Sequence, residues 1–131
     1  MSGYVLDASV AVTALTAPGS PAADLLSGDD AVFQVPSIFD AEVLSALRGL
    51  VRGGKLNGAA AAELVADLMV LPVGRWHMSP LLQRMWELRD NLTPYDAAYV
   101  ALAELTGAVL VTGDERIPAS PAARCDIQLI K

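Results

Sequence analysis

Several residue types that define common classes of protein are scarce or absent in this chain. Its 131 residues include one cysteine, Cys125, and one histidine, His77. One cysteine excludes an intrachain disulfide and a thiolate metal cluster, and we expect His77 to be a surface histidine or one satisfied by hydrogen bonds, and not a metal ligand. No apolar run reaches the roughly 18–20 residues that cross a bilayer. The N-terminus, "MSGYVLDASV", has no basic segment of the kind that opens a signal peptide. We therefore expect a cytoplasmic protein without a membrane segment.

Basic residues are also scarce. Nine Lys and Arg face 15 Asp and Glu, which gives a formal net charge of −6. Such a charge weakens indiscriminate binding to nucleic acid. It does not exclude a nucleic-acid enzyme whose active site is itself acidic and holds metal. An enzyme of that kind must bind its substrate through local contacts and not through overall charge.

Hydrophobic residues are plentiful, at 53% of the chain, and they fall into short runs that alternate with helical patterns. Predicted strands cover residues 4–6, 31–36, 70–73, 108–114 and 127–130, the fourth ending in polar residues. Helix starts are predicted at Ser20-Pro21, at Ser37 with Asp40 as a capping box, at Asn57, at Ser79-Pro80 and at Thr93-Pro94. Alternation of this kind predicts one α/β domain over residues 1–131, with a mostly parallel central sheet covered by helices on both faces.

Four acidic residues fall where a parallel α/β sheet places its ligands, beyond the carboxyl ends of its strands. Asp7 follows the first strand and Asp114 follows "AVLVTG". Glu42 lies in the second turn of the predicted helix "SIFDAEVLSALRGLVRGG", at the edge of its apolar arc. Asp96 lies in the first turn of the helix that begins at Thr93. Taken singly, each also fits a structural role as a turn former, a capping residue or a surface acid.

The helix that carries Asp96 is apolar on almost every side, through "AAYVAL", which predicts burial. An unpaired carboxylate in such a place costs several kcal/mol, and that helix contains no Lys or Arg to pair with it. A divalent cation would meet this need and would also account for the other three acids. Oxygen ligands without His or Cys favour Mg²⁺ or Mn²⁺ over zinc, so we expect Asp7, Glu42, Asp96 and Asp114 to form a metal site for phosphoryl-transfer chemistry.

At this point the motifs "VLDASV", "DAEVLSAL", "TPYDAAYVALAE" and "LVTGDERI" resemble, in order and spacing, those of the PIN-domain ribonucleases. More narrowly, the chain resembles the VapC-type toxins of prokaryotic toxin–antitoxin pairs, and the resemblance covers its whole length. It implies a three-layer α/β/α sandwich and an Mg²⁺- or Mn²⁺-dependent endoribonuclease that cleaves a tRNA or rRNA. It assigns the acidic quartet to Asp7, Glu42, Asp96 and Asp114. It also implies an antitoxin partner and a homodimer.

The same resemblance gives supporting roles to two hydroxyl residues, Ser9 and Thr112, which would orient a carboxylate or a metal-bound water. Arg116, next to the acidic edge, is a candidate contact to an RNA phosphate, and a solvated turn arginine is the alternative. We expect metal-activated water to cleave the phosphodiester and to leave a 5′-phosphate and a 3′-hydroxyl. From a different functional class, the rival hypothesis is a catalytically silent PIN domain that acts as a binding or regulatory module.

Overall fold

The computed structural model describes residues 2–131; Met1, which the predicted domain of residues 1–131 includes, lies outside the described residues. Within these residues, five strands and six helices follow one another, with a short 3-10 turn, Ser79–Leu81, before the fifth helix. The strands are β1 Ser2–Leu6, β2 Ala31–Pro36, β3 Val73–Trp76, β4 Val109–Thr112 and β5 Ile127–Leu129. The helices are α1 Ala8–Thr16, α2 Pro21–Leu26, α3 Phe39–Arg52, α4 Gly58–Met69, α5 Leu82–Glu87 and α6 Pro94–Thr106.

The strands form one sheet in the order β3-β2-β1-β4-β5, and every pairing is parallel. The chain thus moves outward from β1 through β2 to β3 and then returns to the other side of β1 at β4. Because crossovers between parallel strands are right-handed, this reversal places α1–α4 on one face and α5–α6 on the other. The predicted three-layer α/β/α sandwich is confirmed. The switch in strand order lies between β1 and β4, where such sheets bind ligands.

Helix α6 is the most deeply buried helix of this fold. All residues from Ala97 to Ala103 are buried, which agrees with the apolar pattern of "AAYVALA". Thr93 caps the helix by accepting a hydrogen bond from the Asp96 backbone N–H at 3.2 Å. Gly107 ends it with φ +69°, a left-handed conformation that glycine adopts without steric cost. The first turn of α6, with Asp96, is therefore held at a defined position beside the sheet.

Other predicted helix starts agree with the structure at Ser20 and Asn57, whose side chains accept from Ala23 and Ala60. The capping box predicted at Ser37 and Asp40 was wrong. Helix α3 begins at Phe39 without a side-chain cap, since the Asp40 carboxylate instead accepts two hydrogen bonds from Arg75, at 2.7 and 3.0 Å. Glu42 consequently lies in the first turn of α3 and not in the second.

Two further elements differ from the prediction. Strand β3 covers Val73–Trp76 and not residues 70–73, because Phe33 of β2 pairs with Val73 and fixes that register. Helix α1 was not predicted, since Asp7 was taken to end the first strand without a helix after it. Within residues 2–131, no helix is long and apolar enough to cross a membrane.

Candidate active site

Asp7 lies directly after β1, at the switch in strand order, and it is 8% exposed. Its Oδ2 accepts hydrogen bonds from the Ser9 hydroxyl at 3.0 Å and from the Thr112 hydroxyl at 2.7 Å. The backbone conformation of Asp7 is that of a helix N-cap, yet its side chain caps nothing in α1. The two hydroxyls hold the carboxylate toward β4, so both residues predicted to support the site contact Asp7.

Asp114 follows β4 by two residues and lies beside the same sheet edge. Its backbone N–H donates to the Thr112 hydroxyl at 3.0 Å, so one threonine links Asp7 to the loop that carries Asp114. The carboxylate of Asp114 is paired with the Arg116 guanidinium, with contacts of 2.5–3.1 Å. Hydrogen bonds from Arg116 are the main reason that the pKa of Asp114 lies below its ordinary value.

Glu42 projects from the first turn of α3 and meets a residue of α6. The Tyr99 hydroxyl donates to Glu42 Oε1 at 2.6 Å, and the Tyr99 side chain is fully buried. Burial raises the pKa of Glu42; the hydrogen bond from Tyr99 opposes that rise, and the charges of Asp7 and Asp96 add to it. Tyr99 therefore stabilises the charged form of Glu42 at a place where burial and two neighbouring acids disfavour it.

Asp96 is half-buried in the first turn of α6 and also has a raised pKa. Burial is the largest cause, followed by the charges of Asp7 and Asp114, while Thr93 and the charge of Arg116 act in the opposite direction. The positive end of the helix dipole favours a carboxylate at this position. The charge of Arg116, in the loop after β4, only partly offsets this rise, because its ion pair is with Asp114.

These mutual effects show that the structure brings the four predicted acids to one edge of the sheet. Their oxygens are nevertheless directed to protein donors, and among the described residues no three Asp, Glu, His or Cys side chains are grouped closely enough to hold a metal ion. The donor set itself fits Mg²⁺ or Mn²⁺, since it contains only carboxylates and hydroxyls. Asp7, Glu42, Asp96 and Asp114 would hold such an ion after their side chains turn, and Asp114 would have to leave Arg116.

Comparison with known proteins decides the family. A PIN domain family model matches residues 4–121. The chain belongs to the PIN-domain family. Ribonuclease VapC1 of Mycobacterium tuberculosis is 37% identical over 134 residues, and the match covers 100% of both chains. Ribonuclease VapC12 of the same species is 39% identical over 128 residues, with 96% of this chain and 98% of VapC12 covered.

A solved structure shows the same fold at much lower identity. The VapBC2 structure from Rickettsia felis, bound to a DNA fragment from their promoter, matches with a TM-score of 0.72 at 15% identity, over 98% of this chain and 99% of that chain. This likeness shows the fold, and the full-length VapC relatives assign the chain to the VapC-type PIN domains, as the motifs predicted.

Tyr99 is a residue of this PIN domain that the sequence analysis treated only as part of an apolar helix. It lies three residues after Asp96 and therefore on the same side of α6. Burial and the hydrogen bond to Glu42 raise the pKa of its hydroxyl, so the hydroxyl remains a donor. A hydrogen bond from the Ala8 backbone N–H to the same oxygen lowers that pKa, but by less. One phenol thus faces α3 and the start of α1 from α6. A tyrosine one helical turn after a candidate ligand was the available signal.

Two clefts of the PIN domain flank the acids. One, of about 660 Å³, is lined by the loop from Gly113 to Arg116 together with Ser9, Thr13 and the C-terminal residues 130–131. The other, of about 280 Å³, is lined by Ile38, Ala41, Glu42, Ser45 and Tyr95. Each cleft includes one of the four acids, Asp114 in the first and Glu42 in the second, so a ligand in either would reach the acidic edge.

Proposed function

We propose that this protein is a metal-dependent endoribonuclease and the toxin of a type II toxin–antitoxin pair. The observation that carries the proposal is the convergence of four carboxylates at the switch in strand order, two of them with raised pKa values. Residues that only stabilise a fold are seldom arranged so that burial and neighbouring charges both oppose ionisation. The full-length relatives VapC1 and VapC12, which are named as ribonucleases, support the same function.

Each of the side chains at the site has a distinct task in this proposal. The carboxylate of Asp7 is held by hydrogen bonds from Ser9 and Thr112. Glu42 is oriented by Tyr99. Asp96 is aimed from the capped start of α6. The exposed Arg116 guanidinium can leave Asp114 and contact a phosphate oxygen of the RNA.

Mg²⁺ or Mn²⁺, when bound to these acids, would supply a water activated for attack on the phosphodiester and would stabilise charge on the leaving oxygen. The chain itself offers no alternative base of the usual kind near the site, since its single histidine, His77, is exposed at the end of β3, away from the sheet switch. We therefore expect hydrolysis that leaves a 5′-phosphate and a 3′-hydroxyl. The substrate class that follows from the family is tRNA or rRNA.

Partners follow from the same family. The VapBC2 structure is named as a complex bound to promoter DNA, and we propose a cognate antitoxin for this chain. An acidic groove favours an inhibitor that presents arginine. We also propose a homodimer. Leu82 and Trp86 lie one turn apart on α5 and are both more than half exposed, so they offer apolar area for such a contact.

The experiment is a digestion of purified total RNA with the protein in Mg²⁺, in Mn²⁺ and in EDTA, followed by chemical mapping of the new ends. The proposal predicts cleavage only with metal, with 5′-phosphate and 3′-hydroxyl termini. Ends with a 2′,3′-cyclic phosphate, or equal cleavage in EDTA, would contradict it. RNA binding without cleavage under any of the metal conditions would instead favour the catalytically silent module.

A further inference from the structure

The outer face of α3 is a continuous exposed strip that begins at the candidate active site. Ala41, Ser45, Arg48 and Arg52 are all exposed, and their spacing of four, three and four residues places them on one side of the helix. At 1.5 Å per residue, Arg48 and Arg52 lie about 4.5 and 10 Å beyond Ser45 along the axis. The strip therefore leads from the acids toward two guanidinium groups.

Tyr95 closes the end of this strip that is next to the acids. It lies beside Asp96 at the start of α6, and although it is a large aromatic residue it remains 56% exposed. With Ile38, Ala41, Glu42 and Ser45 it lines the cleft of about 280 Å³. The Glu42 carboxylate is part of the wall, so whatever occupies this cleft lies next to the proposed reaction centre and must not itself be anionic.

Four of the nine basic residues of the protein pair with acids within the described residues. They are Arg75, Arg84, Arg116 and Lys131, and Arg89 lies over the Trp86 ring at 4.5 Å. Arg48 and Arg52, on the outer face of α3, have no ion pair within residues 2–131. A protein with net charge −6 has little general attraction for RNA, so contacts of other kinds are required.

Single-stranded RNA supplies the matching chemistry. Its bases are neutral and stack on aromatic rings, and this stacking is independent of the protein's net charge, while its phosphates pair with arginines. We propose that the cleft beside Tyr95 and the outer face of α3 form the RNA-binding groove, in which Tyr95 stacks a nucleobase adjacent to the cleaved phosphate and Arg48 and Arg52 bind the phosphates that follow. This inference rests on the proposed ribonuclease function and names the residues by which substrate is held.

The arrangement favours RNA over a protein segment as the occupant. The cleft is small, and Ser45 at its edge lies on the same side of α3 as Arg48 and Arg52, which suits a base in the cleft and phosphates along the helix. An arginine-bearing peptide would be attracted by Glu42 but repelled by Arg48 and Arg52. The groove therefore has a neutral aromatic end next to the acids and a cationic end farther along α3. An RNA strand that extends away from the acids would meet them in that order.

The test is fluorescence anisotropy in EDTA, which prevents cleavage, with a labelled single-stranded RNA on the order of twelve nucleotides, within the usual range of site sizes. The variants are Tyr95→Ala, Tyr95→Phe and the double substitution Arg48→Gln with Arg52→Gln. Arg89→Gln is the control, because it removes one positive charge from the segment after α5 and leaves the outer face of α3 unchanged. Circular dichroism and thermal melting establish that each variant is folded.

We expect Tyr95→Ala to weaken binding about 5- to 150-fold, the range for loss of one base–aromatic stack, with no change in the salt dependence. Tyr95→Phe should bind like the unmodified protein. The double arginine variant should lower the slope of log affinity against log salt by about 1.4, since each phosphate contact on a single strand contributes about 0.7. Arg89→Gln should affect binding less than either.

Two results would overturn the proposal that this groove binds RNA. One is unchanged RNA binding by Tyr95→Ala, and the other is an equal loss of RNA binding in Arg89→Gln and in the double arginine variant. Either result would favour a protein partner as the occupant of the groove. The failure of this inference is distinguishable from failure of the proposed function. If the groove variants cleave RNA at the normal KM while Asp96→Asn does not cleave, the ribonuclease stands and the groove is wrong. If the unmodified protein cleaves no RNA with any metal, the proposed function itself fails.

Discussion

Replacing Tyr99 by phenylalanine would remove one hydroxyl and leave the packing of α6 intact. The ring of Tyr99 is fully buried, and phenylalanine has nearly the same shape, so no cavity is created. What disappears is the 2.6 Å donor to Glu42 Oε1, together with the acceptor for the Ala8 backbone N–H. A hydrogen bond to a charged group is worth about 1.5–3 kcal/mol when no replacement is available. Glu42 is only half-buried, so water can replace part of the lost hydrogen bond. We therefore expect the free energy of unfolding to fall by about 1 kcal/mol.

In a chain of 131 residues, that loss corresponds to a melting temperature lower by about 3–5 °C. The stronger expectation concerns metal. Residues that hydrogen-bond to a metal-binding side chain and orient it typically contribute 10- to 100-fold to metal affinity or activity. Mn²⁺ binding by Tyr99→Phe, measured by calorimetry, should therefore weaken by about tenfold. Because the Tyr99 hydrogen bond opposes the rise in the pKa of Glu42, its loss raises that pKa further. The defect in Mn²⁺ binding should therefore be greater at acidic pH.

Tyr4→Phe is the matched control for this prediction. Tyr4 stacks on Phe33 with ring centroids 5.8 Å apart, and its hydroxyl makes no hydrogen bond within residues 2–131. The same atom is removed, but no carboxylate loses a donor, so stability and Mn²⁺ binding should stay near those of the unmodified protein. If Tyr99→Phe and Tyr4→Phe were indistinguishable in both measurements, Tyr99 would be a packing residue and the reasoning would be refuted.

Three further predictions concern residues around the site and the surface. Arg116→Gln should tighten Mn²⁺ binding in the absence of RNA, because Arg116 competes for the Asp114 carboxylate; weaker Mn²⁺ binding in calorimetry would contradict this. Glu104→Gln should cost about 1–2 kcal/mol at neutral pH, because Glu104 pairs with Arg84 at 2.6 Å. Burial opposes ionisation of Glu104, but the hydrogen bonds from Arg84 and the Arg124 backbone lower its pKa. The stability that Glu104 contributes is then present above its ordinary pKa and lost as pH falls through the lowered value. In chemical denaturation, the difference in free energy of unfolding between the unmodified protein and Glu104→Gln should therefore shrink in acid and not in base. Trp86→Glu should shift a homodimer to monomer in analytical ultracentrifugation with little loss of stability, since Trp86 is 68% exposed; an unchanged dimer would exclude this face of α5 as the contact.

Much of the fold could be predicted because local signals and tertiary structure agree. The Thr93 cap, the apolar run after it and Gly107 each indicate α6, and the structure follows all three. Helix α1 was missed because Asp7 was taken only to end the first strand, without a helix after it. Asp7 stands at the capping position, but its carboxylate contacts Ser9 and Thr112, and the second of these lies on a strand 105 residues away. A contact of that range leaves no local signal.

The same limit applies within the site. The positions of the four acids could be predicted from strand ends and helix starts, since these are local features of the sequence. The capping box at Asp40 was wrong because Arg75, on a different strand, takes that carboxylate. The bond from Tyr99 to Glu42 joins residues 57 positions apart, and only the fold brings them together.

The central claim is that Asp7, Glu42, Asp96 and Asp114 act as one metal-dependent centre, and the most direct test is the rate of RNA cleavage at saturating Mn²⁺ for their Asn or Gln variants. Asp40→Asn is the control, since Asp40 lies two residues before Glu42 in the same helical turn but pairs with Arg75. We predict that each of the four variants loses cleavage by at least about 10²-fold, as for removal of a group that acts in the transition state. Asp40→Asn should cleave at nearly the normal rate. Cleavage by Asp96→Asn or Asp7→Asn at the normal rate would contradict the claim.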